Sequence, residues 1–229
     1  MIPVHLAASK AAASTMFFLP DAASLITFTA ASVILFITPG PDMSLFLART
    51  LEGGKKAGFA SCLGANLGCV AHTLLAAFGI SALLAASTTA FLALKIIGAG
   101  YLLWLAFAAI RKGSALNVQV LPNRKPPSLK ATFLTGVMVN LTNPKVVLFF
   151  ITFLPQFVRA GDPHVAAKLV FLGLYFVVIN IPLTIAMIMG AEKLVGWLRV
   201  KPGVMRTIDY CFAGVFGLFA VRIALAQGR

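Results

Sequence analysis

Two charged side chains lie where charge is costly. Asp42 follows Thr38-Pro39-Gly40-Pro41 and Lys145 follows Asn143-Pro144, each near the middle of an apolar stretch long enough to cross a bilayer. A charge at mid-membrane costs about 2.5–3.5 kcal/mol on insertion scales, so it marks an ion or substrate path by default. The prolines add a second signal. Inside a helix, proline removes a hydrogen bond and clashes with the preceding turn, at about 3 kcal/mol or more. At membrane depth, non-helical backbone survives only where protein or a water-filled cavity satisfies it. Matching interruptions in the two halves of a membrane chain point to a transporter's binding site.

Each break can be taken as the start of a half-helix. Proline is favoured at the first helical position, and Gly or Asn serves at the cap before it, so Gly40-Pro41 and Asn143-Pro144 play the same part. Free N–H groups and a positive dipole end then suit a carboxylate. Asp42 fits such a terminus, whereas the charge of Lys145 opposes the dipole. The expectation is that the two charges face each other across one cavity. An amino acid would bind with its ammonium toward Asp42 and its carboxylate toward Lys145 and the half-helix ends. The plainer alternatives are packing kinks, a structural ion pair, or Lys145 snorkelling outward.

Among the remaining polar residues, Asn66 and Asn180 either line that cavity or make interhelical hydrogen bonds. Ala60, Gly64, Gly68 and Ala71 form a small-residue stripe for close packing on one face of their helix. The far face carries Gly58, Cys62, Asn66, Cys69 and Thr73, with His72 at its edge. Cys62, Cys69 and His72 span nearly three turns, too far for one tetrahedral metal site without help from other helices, so no metal site is expected. His72 reads as a hydrogen-bonded packing histidine, with a proton relay as the alternative.

The elements that position these residues follow from composition. Of 229 residues, 60% are hydrophobic and 11% charged, against about 25% charged in soluble domains. The chain is therefore an all-α polytopic membrane protein, with apolar length for about six helices of ~20 residues. Helix 1 is expected over 22–51, helix 2 over 58–85, helix 3 over 91–110, helix 4 over 131–157, helix 5 over 165–190 and helix 6 over 210–226. Helices 1 and 4 carry the breaks. Residues 1–21 read as a leader without a clear signal peptide, with Met16 a plausible start. A first three-helix unit covers 22–110, a proline-containing basic linker 111–130, and a second three-helix unit 131–229.

The net charge is +13, from 19 Lys+Arg against 6 Asp+Glu. No nucleic-acid module accompanies it. The basic residues lie mainly between apolar segments, as topology signals and contacts for anionic lipid headgroups. Arg49, Lys55, Lys56, then Arg111 to Lys130, then Lys193, Arg199, Lys201 and Arg206 place three loops in the cytoplasm and both termini outside. Three helices per half make the second half an inverted repeat of the first. FTAASVILFITPGP (28–41) lines up with FLTGVMVNLTNPKV (133–146), sharing a phenylalanine and a proline.

Enzymatic motifs such as HExxH, a phosphate loop or a catalytic acid pair are missing, so no catalytic residue and no cofactor is expected. Transport must be driven by an ion gradient or run downhill. The runners-up are an exporter of another small solute or a metal ion, and a membrane scaffold that transports nothing. TPGPDMSLFLAR (38–49), GANLGCVAHTLLAAFGI (64–80), LKIIGAGYLLWLA (94–106) and NLTNPKVVLFFITFLPQF (140–157) resemble the LysE/RhtB family of bacterial amino-acid exporters over about residues 22–226. The resemblance implies a six-helix inner-membrane exporter of amino acids or their derivatives, exchanging them for protons and compatible with a homodimer. It carries over to Pro39, Gly40, Pro41, Asp42, Asn143, Pro144 and Lys145. Position 42 in such proteins is often Asn, which implies that Asp42 tunes substrate choice or proton coupling.

Overall fold

The computed structural model describes residues 19–112, 118, 126–158 and 162–226. Most of the leader and of the linker expected at 111–130 lies outside the described residues. All regular structure within them is helical: α1 (Ala22–Ile37), α2 (Pro41–Ala86), α3 (Thr88–Lys112), α4 (Leu129–Thr142), α5 (Pro144–Leu148), α6 (Val165–Met189), α7 (Ala191–Val200) and α8 (Pro202–Ala226). A π turn (Phe149–Phe153) and a 3-10 turn (Leu154–Phe157) continue α5.

The helix starts carry side-chain caps in the sequence. Asp21 accepts the Ser24 N–H at 2.9 Å, Ser87 accepts that of Ala90 at 3.1 Å, and Ser128 accepts that of Ala131 at 3.2 Å. Each satisfies one of the N–H groups that a helix leaves unpaired at its first turn.

Among the described residues α2, α3, α6 and α8 are long and apolar enough to cross a membrane, and the α4–α5 pair, bent by 51°, makes a fifth candidate. The 46 residues of α2 are two helices joined at Gly54, whose φ of 73° and ψ of −178° interrupt the helix. Only glycine adopts that backbone readily. A straight helix would put Asp42 about 40 Å from Cys69, yet both border one cavity. Thr50 also packs directly on Gly58. The chain therefore doubles back at Gly54. Residues 41–53 form the first arm and 55–86 the second, which places the hairpin in the expected turn after helix 1.

The small-residue stripe does what its spacing implies. A Cβ on Gly64 would strike the backbone oxygen of Phe133, and one on Gly136 the backbone oxygen of Ser61. The second arm of α2 and α4 thus approach backbone to backbone. Outside this pair, α3 packs along α8.

One part of the chain departs from expectation. The segment after helix 5, expected to be a basic loop, holds α7, and the final helix starts at Pro202 rather than near residue 210. Ala191, Val195 and Leu198 are buried while Lys193 and Trp197 are exposed, so a 3.6-residue apolar period lay within a charged stretch.

Two apolar clusters fill the bundle. In the larger one Phe28, Phe149, Phe153 and Phe216 are nearly fully buried, with Phe149 stacked 4.9 Å from Phe153. The smaller joins Phe46, Leu47, Cys62 and Ala65 of α2 to Met187 and Ile188 of α6 and to Ala191 and Val195 of α7.

Candidate functional site

Both breaks form where the prolines are. α1 ends at Ile37, Thr38 leaves the helix in an extended conformation, and α2 restarts at Pro41 with Gly40 as its cap residue. At the second break a single residue does both jobs. Asn143 ends α4 and caps α5, its Oδ1 accepting the Lys145 N–H at 3.1 Å, with Pro144 at the first helical position. Asp42 and Lys145 are thus the second residues of their half-helices.

The two charges do not pair with each other. No ion pair within 4.0 Å joins them among the described residues, and the lysine does not snorkel outward. Lys145 Nζ reaches across to the first break and donates to the carbonyls of Leu35 at 2.9 Å and Thr38 at 2.6 Å. Those oxygens lie at the C-terminal end of α1, where carbonyls lack intrahelical partners and the dipole favours a cation. The backbone of Lys145 occupies a helix N-terminus, but its head group serves another helix's C-terminus, and the dipole conflict expected from sequence disappears.

Asp42 receives a matching reach from the other direction. Asn140, in the last turn of α4, donates from Nδ2 to Asp42 Oδ2 at 2.9 Å. Its Oδ1 accepts from Cys69 Sγ at 3.6 Å, and its backbone oxygen lies 3.4 Å from His72 Nε2. A Cβ on Gly68 would come within 2.5 Å of Asn140 Oδ1, so the glycine makes room for this side chain. His72 is buried and stacks on Phe150 at 5.6 Å.

These groups border a half-open cavity of about 50 Å³, room for a few waters at about 10–15 Å³ each. It is bordered by Leu35 and Phe36 of α1, Asp42 and Met43 of the first arm, Asn66 and Cys69 of the second, Asn140, Lys145, and Asn180 of α6. Two buried acceptors there, Asp42 Oδ1 and Asn180 Oδ1, and one buried donor, Asn143 Nδ2, make no hydrogen bond within 3.5 Å among the described residues, although the Asn143 amide stands close enough to interact with the Asp42 carboxylate. Asn180 Nδ2 is used within its own helix, donating to the Phe176 carbonyl at 2.7 Å. Asn66 sits beside Cys62, with Nδ2 3.6 Å from its sulfur.

Of the sequence-predicted residues, Asp42, Asn66, Lys145 and Asn180 meet at the cavity. Thr38 contributes its carbonyl to Lys145, and Gly40 gives the ammonium passage, since a Cβ there would stand 3.2 Å from Nζ. Pro39, Pro41, Asn143 and Pro144 shape the breaks without bordering the cavity. Asn140 was missed. Its signal was a lone amide three residues before Asn143 in an apolar run, the same signal that singled out Asn66 and Asn180. Among the described residues no three His, Cys, Asp or Glu side chains gather as metal ligands.

A family model described as LysE type translocator matches residues 33–227. The chain is 28% identical to a homoserine/homoserine lactone efflux protein of Salmonella typhimurium over 196 residues, 86% of this chain and 93% of that protein. It is 28% identical to an uncharacterized membrane protein of Vibrio cholerae over 202 residues, 88% of this chain and 97% of that one. With the uncharacterized membrane protein YrhP of Bacillus subtilis it shares 32% over 146 residues, 59% of this chain and 68% of that protein. No solved structure matches.

Proposed function

Because the chain belongs to the LysE type translocator family, and so is a multi-pass membrane transporter and not an enzyme, we propose that it exports amino acids or close derivatives from the cytoplasm in exchange for protons. The observation that carries this reading is the cavity between the breaks. It holds a carboxylate and an ammonium apart, each secured by other groups, with acceptors to spare. A zwitterion complements that arrangement. Its ammonium would lie against Asp42 Oδ1 and Asn180 Oδ1. Its carboxylate would take the third N–H of Lys145, the other two being engaged by carbonyls.

Alternating access follows from the two apolar clusters. The cavity lies between the phenylalanine-rich cluster and the smaller one, which sits at the end of the bundle carrying Lys55, Lys56 and Lys193. By the excess of basic residues that end faces the cytoplasm, and opening the smaller cluster would admit solute from within. In this reading the chain crosses the inner membrane six times with both termini outside. α1 with the first arm of α2 counts as one broken span, and α4 with α5 as the other. Two inverted repeats are supported by the paired breaks and by the packing of α3, last in the first unit, along α8, last in the second.

The efflux relative's named solutes, homoserine and its lactone, are the first to try. Overexpression should confer resistance to inhibitory amino acids or dipeptides, and everted vesicles should take up labelled homoserine only when a proton gradient is imposed. Unchanged sensitivity across the amino acids, with the protein present in the membrane, would refute the reading. Dependence on a sodium gradient would refute the proton exchange alone.

A further inference from the structure

We infer that the Lys145 ammonium is a tethered cation, filling a monovalent-cation site built from the unwound backbone of the first break. In broken-helix transporters, unwound carbonyls and half-helix C-termini are where a mobile coupling cation is held. Here the carbonyls of Leu35 and Thr38 converge at 2.9 and 2.6 Å on one point, and that point is Lys145 Nζ. The carboxylate that a mobile cation would also require, Asp42, borders the same cavity. Gly40 keeps the approach open, because a side chain there would press on the ammonium. The protein thus carries at this position the positive charge that other designs borrow from solution. The inference stands apart from the choice of solute. It requires only that the site accept a small monovalent cation once the tether is cut.

Cutting the tether tests it. Lys145→Ala leaves the two carbonyls facing a space about the size of the lost side chain, and Lys145→Met removes the charge while filling that space. In purified full-length protein, Lys145→Ala should lower the thermal midpoint by roughly 6 °C or more, two charged hydrogen bonds being lost at about 2–4 °C per kcal/mol. Methylammonium, ethylammonium or sodium should restore most of that loss in Lys145→Ala, restore none in Lys145→Met, and leave the wild type unmoved. Where export is measurable, the same cations should raise transport by Lys145→Ala above that of the unsupplemented variant and leave Lys145→Met unchanged. Three results would overturn the inference: no recovery with any of these cations, equal recovery in the Ala and Met variants, or a wild-type midpoint that rises with sodium as the variant's does. The midpoint needs no substrate, so failure of the amino-acid reading leaves this test intact, and failure here leaves export to be judged separately.

Discussion

Replacing Asn140 by alanine isolates the contact that sequence reasoning missed. The change removes the donor held 2.9 Å from Asp42 Oδ2 and leaves a carboxylate whose other oxygen has no partner among the described residues. A hydrogen bond to a charged group contributes about 1.5–3 kcal/mol. Asn140 is 1% exposed, so water is poorly placed to take its role. At roughly 2–4 °C per kcal/mol for a chain of this size, the thermal midpoint should fall by about 3–12 °C. For a solute bound through Asp42, the KM of export should rise by roughly 10- to 150-fold, since about 1.4 kcal/mol is tenfold. The midpoint can be measured in detergent, where a double-mutant cycle with Asp42→Asn needs no transport. With Asn at position 42, the contact becomes a neutral one of about 0.5–1.5 kcal/mol, and Asn140→Ala should cost correspondingly less. An equal loss in both backgrounds would show that Asn140 acts through packing or through Cys69 and His72, and the reasoning about Asp42 would fail.

Lys145→Gln should abolish export while the protein remains folded by circular dichroism, and Asp42→Asn should change the solute range or the dependence on the proton gradient; wild-type efflux from Lys145→Gln, or unchanged range and coupling in Asp42→Asn, counts against the zwitterion site. Gly64→Ala should destabilise by about 1–3 kcal/mol, because its Cβ meets the Phe133 backbone, and an unchanged thermal midpoint would contradict the close approach of α2 and α4. Gly54→Ala should cost about 1–3 kcal/mol as well, through backbone strain at φ 73°, with nothing within 4 Å to clash. In the loop before α6, burial acts to raise the pKa of Asp162, but the Lys168 ammonium and the His164 N–H outweigh it and hold the carboxyl below 3.8. A lowered folded-state pKa stabilises fully above that ordinary value, and the gain fades as pH falls through the lower one. Lys168→Ala should therefore shift the acid limb of the midpoint-against-pH curve and flatten it below about pH 4.

The breaks were legible because proline leaves few choices. Pro41 and Pro144 stand at the first position of their half-helices, as their chemistry favours. The Gly64–Gly68 stripe was legible for a similar reason, since small residues at helical spacing have one common use in a membrane. The partner of Lys145 was not. Backbone carbonyls look alike in any sequence, and only the fold shows that those of Leu35 and Thr38 come free beside it. Asn140 could have been weighed with Asn66 and Asn180, but nothing local distinguishes an amide that faces a carboxylate from one that faces a neighbouring helix. α7 was lost because charged residues and a short length hid its apolar period.

The π turn at Phe149–Phe153 is a dislocation in a hydrogen-bond ladder, one surplus residue accommodated in a single turn. Dislocations move by exchanging one bond at a time, so the ladder around one need never be fully open. Stepping the surplus one position along would swivel the residue it passes by about 100°, re-aiming a phenylalanine that now bolts the larger apolar cluster. Phe150 and Phe153 sit on that turn, directly downstream of Lys145. The span that carries Lys145 to the first break thus enters the aromatic cluster through its widest turn, so the same stretch of backbone supports both the cavity wall and the phenylalanine packing.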